Sequence, residues 1–380
     1  MRPLGIYIHV PFCLQRCRYC GFHSQAGITA EEEAAYVRQT VAEIRQAGAE
    51  DLRRHTVDTI FFGGGTPSIL REDSLERLLD AVRASFPMGQ VPGAPEVTLE
   101  ANPATLDREK LEALRELGVS RLSIGVQSFD DGLLAMLGRV HTAREAREQI
   151  HLAQEAGFSN LNLDLMLGLP GQTMAQWEDT LDQAFALRPA HLSCYSLQLE
   201  EGTALYEAVR RDQMQELPEE LDRAMYHRTC EKLAAAGYEH YEISNWCLPG
   251  NACRHNLKYW TLSEYLGFGP SASSYLDHVR WTRGERFLEG EGAFAGKTFH
   301  RNTPFDDASE YVFTGLRLRE GIDLVAFASR FGRPLWDVFP DAKRELAPYL
   351  TGGYVEQTED RLALTLAGID ISNAILAIFV

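Results

Sequence analysis

The sequence predicts a parallel α/β protein with a smaller α+β appendage, and three observations carry this expectation. Short β-rich runs alternate with longer amphipathic runs through the first half of the chain. Polar and glycine residues collect where the β-rich runs end, and the alternation stops near residue 240.

The strand candidates are 5–10, 57–63, 96–102, 121–128, 161–167 and 191–197. The first helical run opens with Thr29-Ala30-Glu31-Glu32, a capping-box pattern, and continues through Tyr36, Val37, Val41 and Ile44 at helical spacing. Further helices are expected at 73–86, 107–117, 143–156, 174–187 and 219–236. Six such units suit either an incomplete barrel or an open doubly wound sheet, and periodicity does not separate the two. In both, ligands gather at the carboxyl ends of the strands. Cys13 follows the first strand, Gly63-Gly64-Gly65-Thr66 the second, and Glu100 and Asn102 end the third. Gln127 ends the fourth, Asp164 lies on the fifth and Gln198 follows the sixth, so these residues are expected to form one site.

The chain therefore divides into 1–240, a connecting segment 241–300 rich in aromatics, Gly and Asn, and a compact winged-helix-like α+β domain over 301–380. The apolar stretch 371–380 is expected as a terminal helix docked on a core. With 45% apolar and 24% charged residues among 380, a sizeable core can be buried. The net charge of −17, from 54 acidic against 37 basic residues, repels phosphate backbones and argues against nucleic acid as a ligand. MRPLGIYIHV runs straight into a strand pattern without a secretion signal, and no apolar run approaches the ~20 residues of a membrane span. A cytoplasmic protein is expected, with its seven cysteines reduced and available for metal or catalytic use.

Three of them form Cys13-x-x-x-Cys17-x-x-Cys20. Thiolates at this spacing can wrap one cuboid iron–sulfur cluster and leave one iron without a protein ligand. A zinc site with His23 as fourth ligand and three simple buried thiols are the rival readings. Cys194, Cys230 and Cys247 behave as small hydrophobes and carry no assignment; His9 either faces the loop or fills space.

The spacing, in the context Tyr7-Ile8-His9-Val10-Pro11-Phe12-Cys13, resembles the radical S-adenosylmethionine (SAM) superfamily. Within it, the string is similar to the branch holding oxygen-independent coproporphyrinogen III oxidase (HemN) and the haem chaperone HemW. The likeness runs to Gly368-Ile369-Asp370-Ile371-Ser372-Asn373. It implies a partial (β/α)6 barrel with a HemN-type C-terminal domain. It also implies a [4Fe–4S] cluster on Cys13, Cys17 and Cys20 whose free iron is chelated by SAM. Reduction then cleaves SAM to methionine and a 5′-deoxyadenosyl radical, with electrons from a donor such as flavodoxin or ferredoxin.

By the same resemblance, the backbone of Gly64, Gly65 and Thr66 binds the methionine end of SAM, and Glu100 binds its ribose hydroxyls. Tyr7, Gln127, Arg139 and Asp164 line the nucleotide pocket or a second SAM site, and Tyr19 packs over the cluster. Arg139 reads equally as a solvated helix-end charge. Two features separate the relatives. The oxidases resemble Cys-x3-Cys-x2-Cys-x-Cys behind a long N-terminal extension, whereas this chain has Phe22 at the fourth position and only twelve residues before Cys13. His255-Asn256-Leu257-Lys258-Tyr259-Trp260 is similar to the HN-x-x-YW motif of the chaperones, which makes His255, Asn256, Tyr259 and Trp260 haem-binding candidates, with Cys253 a weaker one. The bland reading is a His-Asn brace with Tyr and Trp in the core. The resemblance implies a haem chaperone serving acceptor proteins, membrane-associated ones among them. The alternatives are a coproporphyrinogen oxidase and a zinc-stabilised binding protein.

Overall fold

The computed structural model describes residues 1–49, 52, 54–89, 94–284 and 297–380. Six strands match the expected ones within about two residues, apart from an earlier start to the first: β1 (Arg2–Val10), β2 (His55–Gly64), β3 (Glu96–Ala101), β4 (Arg121–Gln127), β5 (Asn160–Leu167) and β6 (His191–Ser196). They are parallel neighbours in this order. The longer helices between them are α1 (Ala30–Gly48), α2 (Glu72–Ser85), α3 (Arg108–Glu116), α4 (Ala143–Glu155) and α5 (Met174–Ala186), with α6 (Glu219–Ala235) following β6.

Local chemistry sets the helix starts. Thr29 Oγ1 accepts from Glu32 N at 3.2 Å, and Glu32 returns the favour to Thr29 N at 2.8 Å. The same reciprocal cap opens α4 with Thr142 and Glu145, and α5 with Thr173 and Gln176. Each cap satisfies backbone donors that the first helical turn leaves orphaned.

The segment expected as a connector adds strands to the same sheet instead. β7 (Glu239–Glu242) and β8 (Asn245–Cys247) extend it beyond β6, and after helix α7 (Arg254–Trp260) comes β9 (Tyr265–Phe268), parallel to β1. Then β10 (Ser273–Leu276), β11 (Val279–Arg283) and β12 (Lys297–Arg301) follow antiparallel. These strands have three to five residues each, too short to display a clean period. The sheet order is β12-β11-β10-β9-β1-β2-β3-β4-β5-β6-β8-β7, so β12 and β7 are open ends and the curved sheet is a partial barrel.

Beyond it, β13 (Ile322–Asp323), β14 (Val355–Gln357) and β15 (Arg361–Leu364) form a three-stranded antiparallel sheet with β15 in the centre. The chain end is not one helix. A short helix, Ser372–Leu376, passes into a 3-10 turn, Ala377–Phe379, and buries Ile375 and Phe379. Among the described residues, no helix is long and apolar enough to cross a membrane.

Candidate functional site

The strand ends hold two adjoining chambers. The outer one, about 290 Å³, is walled by the cysteine loop, by Gly64, Gly65 and Thr66 after β2, and by Glu100, Gln127, Arg139 and Asp164. Cys13, Cys17 and Cys20 all face it, half-buried and without disulfides. The pairing of Phe12–Cys13 with Gln25–Ala26 closes the base of the loop. Among the described residues, no three His, Cys, Asp or Glu side chains stand at the spacing of a metal site. The thiols thus share a wall without forming a closed ligand set. His23 lines a different cavity, beside Pro11 and Tyr36.

The wall beside Cys13 is backbone. Gly64 has φ +111°, and a Cβ there would come within 2.6 Å of the His9 ring; on Gly65 it would meet the Phe12 carbonyl at 2.5 Å and Cys13 Sγ at 3.0 Å. Only glycine fits where the end of β2 packs this closely on His9 and the cysteine loop. His9 is fixed beneath it, with Nδ1 3.0 Å from the Tyr7 hydroxyl and Nε2 3.2 Å from the His23 carbonyl. Gly64 N donates to Glu100 Oε2 at 3.1 Å. Burial, with the charge of Asp164 added, pushes the Glu100 carboxyl up to about 8. Burial lifts Asp164 as well, against bonds from Asn162 (2.7 Å) and Ser123 (3.3 Å).

Arg139 is not a solvated charge. It turns inward, donating from Nη1 to Cys17 Sγ at 3.4 Å and from Nη2 to the Gly125 carbonyl. Gln127 has φ +69° where the β4–β5 register shifts, and its Oε1 accepts from the Tyr195 hydroxyl at 2.7 Å. Tyr19 lines the same chamber next to the cysteines.

The inner chamber, about 510 Å³, lies deeper, toward the starts of β4 and β5. Glu100, Ser123, Asp164 and Tyr195 line both chambers and form the partition between them. Tyr7 opens here rather than onto the outer chamber, together with Phe61 and all four motif residues of α7: His255, Asn256, Tyr259 and Trp260. Glu96 accepts from the backbone N–H groups of Arg254 and His255 at 3.3 and 3.2 Å, capping the positive end of α7. Lys258 pairs with Asp58 at 2.7 Å, both buried.

His255 is 1% exposed, and both ring nitrogens are engaged: Nδ1 with Thr59 Oγ1 and Nε2 with the Tyr259 hydroxyl, each at 2.9 Å. Burial pushes its pKa down to about 3, so it is neutral. Cys253 is buried with its thiol 3.7 Å from Glu96 and does not line the chamber.

Sequence reasoning missed Arg121, Ser123, Asn162, Ser193 and Tyr195 of the inner chamber. The signal was present. Parallel strands usually read as continuous apolar runs, yet β4 reads RLSIGVQ and β5 NLNLDLML. Leu122, Ile124, Leu161 and Leu163 enter the core beneath the helices, while the alternate positions turn polar groups into the lumen. The barrel interior is a site, not a packed core.

Comparison with known proteins agrees with this geometry. The radical SAM superfamily matches residues 7–184, and the HemN C-terminal domain matches 302–371. The haem chaperone HemW of Bacillus subtilis is 36% identical over 98% of this chain and 98% of its own length. The chain belongs to the HemW family. The HemW of Escherichia coli is 34% identical, covering 99% of this chain and 98% of its own. The structure of Escherichia coli coproporphyrinogen III oxidase (HemN), a radical SAM enzyme, shares the fold at a TM-score of 0.86. It is 22% identical, and the match covers 100% of this chain and 90% of that one. Membership of the radical SAM family implies a [4Fe–4S] cluster and SAM. The outer chamber fits them, lined by three thiols and by the backbone of Gly64 and Gly65, where close packing on His9 and Phe12 leaves no room for a side chain.

Proposed function

We propose that this chain is a cytoplasmic haem chaperone. It holds its cluster on Cys13, Cys17 and Cys20, binds SAM in the outer chamber, takes up haem at the α7 motif, and hands it to acceptor proteins. The observation that carries the reading is that His255, Asn256, Tyr259 and Trp260 line one chamber separated from the cysteine chamber by only a shared wall. Full-length similarity to proteins named haem chaperones supports it.

When bound, the cluster and SAM supply one-electron cleavage chemistry. The protein's own residues hold and orient. Gly64, Gly65 and Thr66 offer backbone groups to the methionine end, and Glu100 offers its carboxyl to the ribose. Gln127 and Asp164 line the nucleotide pocket, while Arg139 sets the position of the Cys17 sulfur. Tyr19 covers the cluster. Tyr7 belongs to the haem side, where it faces His255 at 6.4 Å between ring centroids. An iron reaches His255 only when its bond to Tyr259 or Thr59 opens, so capture of haem is coupled to that opening. Electrons come from a flavodoxin- or ferredoxin-type donor, and membrane-associated proteins are among the acceptors. Phe22, 64% exposed where the oxidase pattern places a further cysteine, weighs against porphyrinogen decarboxylation.

The test is anaerobic cluster reconstitution with spectra recorded before and after adding haem. A sharp Soret band at near-equimolar haem, weakened in His255→Ala, is expected. Cluster absorbance with no haem signal, together with conversion of coproporphyrinogen to protoporphyrinogen, would overturn the reading in favour of the oxidase.

A further inference from the structure

Arg121 begins β4 at the floor of the inner chamber and is 2% exposed. A guanidinium this deep costs several kcal/mol to desolvate, on the order of the penalty for any buried ion, and is normally repaid by an ion pair or several hydrogen bonds. Arg121 has neither among the described residues, and its Nε is buried without an acceptor. The carboxylates that act on it through space are Glu96, Glu100 and Asp164. All three are committed elsewhere: Glu96 to the amide N–H groups that open α7, Glu100 to the Gly64 N–H, Asp164 to Asn162 and Ser123. A planar fork of donors is left facing a cavity.

Among the described residues, two more buried donors around the same chamber lack partners, the indole Nε1 of Trp260 and the Nε of Arg317. Arg317 is otherwise occupied, 4.6 Å above the Trp260 ring and 3.8 Å from Glu242. Arg121 is thus the cation that the fold leaves for a ligand. The rings of Tyr7, Phe61 and Tyr259 line the chamber as well.

We propose that Arg121 anchors a carboxylate, so that the inner chamber takes a ligand with a carboxylate end and a flat apolar body. Such a group comes either from a propionate side chain of a tetrapyrrole or from a small free arylalkyl acid. With a tetrapyrrole the proposal deepens the haem reading; with a free acid it stands without it.

Two ligand pairs on the full-length reconstituted protein test this. Haem is compared with haem dimethyl ester by spectroscopic titration, and 3-phenylpropionate with 3-phenylpropionamide by thermal melting. The acid of at least one pair should be preferred, about tenfold or more for a charge-assisted fork. Arg121→Gln should abolish that preference, and Arg121→Lys should restore part of it. Preference for haem alone identifies the tetrapyrrole source. Preference for phenylpropionate alone keeps the anchor but removes haem from this chamber. Equal binding of acid and neutral form in both pairs overturns the proposal, and that comparison needs no variant to fold. An acid preference that survives in folded Arg121→Gln overturns it too.

Discussion

Thr59 Oγ1 and His255 Nδ1 lie 2.9 Å apart, joining a strand of the barrel to a helix 196 residues later in the chain. This bond fixes the ring plane of His255, and Tyr259 closes the other nitrogen. Thr59→Val keeps the shape but leaves Nδ1 buried without a partner. Chemical unfolding should show a loss of about 1–3 kcal/mol; an unchanged midpoint would mean that the ring finds another partner.

Tyr259→Phe acts on the opposite nitrogen. It removes the hydroxyl that competes with an iron for Nε2, so haem affinity should rise about two- to tenfold, the worth of one neutral hydrogen bond. Haem titration of the variant checks this, and weaker binding would show that Tyr259 itself holds the haem.

Removing any one of Cys13, Cys17 or Cys20 should abolish iron and sulfide incorporation after anaerobic reconstitution. His23→Ala should leave it intact, because His23 faces a different cavity. Zinc in place of iron, lost in His23→Ala, would be the contrary result.

Glu100 should govern stability at alkaline pH. Its native pKa of about 8 lies above the ordinary 4.5, so the folded chain favours the protonated form. That contribution is complete below pH 4.5 and is lost as pH rises through 8. Glu100→Gln should therefore be more stable than wild type at pH 9, by about 1–3 kcal/mol, while binding SAM more weakly. Melting curves at pH 6 and pH 9 separate the two effects.

Buried histidines contribute to the acid limit, His191 and His255 among them. Burial pushes His141 and His240 down to about 4 from 6.5. Each is neutral in the fold, its Nε2–H donating to a carbonyl, Val126 for His141 and Ile243 for His240. Their native pKa values are lowered, so the stability they support is present above pH 6.5 and lost as pH falls toward 4. Urea midpoints measured from pH 7 to pH 4.5 should fall less steeply in His240→Gln than in wild type.

The sequence by itself determined what local chemistry determines. Strand and helix positions follow from side-chain period, and helix starts from reciprocal caps such as Thr29 with Glu32. The cysteine loop is local too, three thiols within eight residues, and its spacing is legible without a fold. Tertiary structure decided everything that depends on residues distant in the chain. It turned Arg139 onto Cys17, moved Tyr7 to the inner chamber, and engaged both nitrogens of His255. It also set the short strands from 239 onward into the sheet, since three to five residues carry too little period to be read alone. Above all, curvature of the sheet brought the alternate polar residues of β4 and β5 together in one lumen. A strand's own sequence gives the alternation, but only the sheet's curvature around that face decides that Arg121 is buried and left facing a cavity.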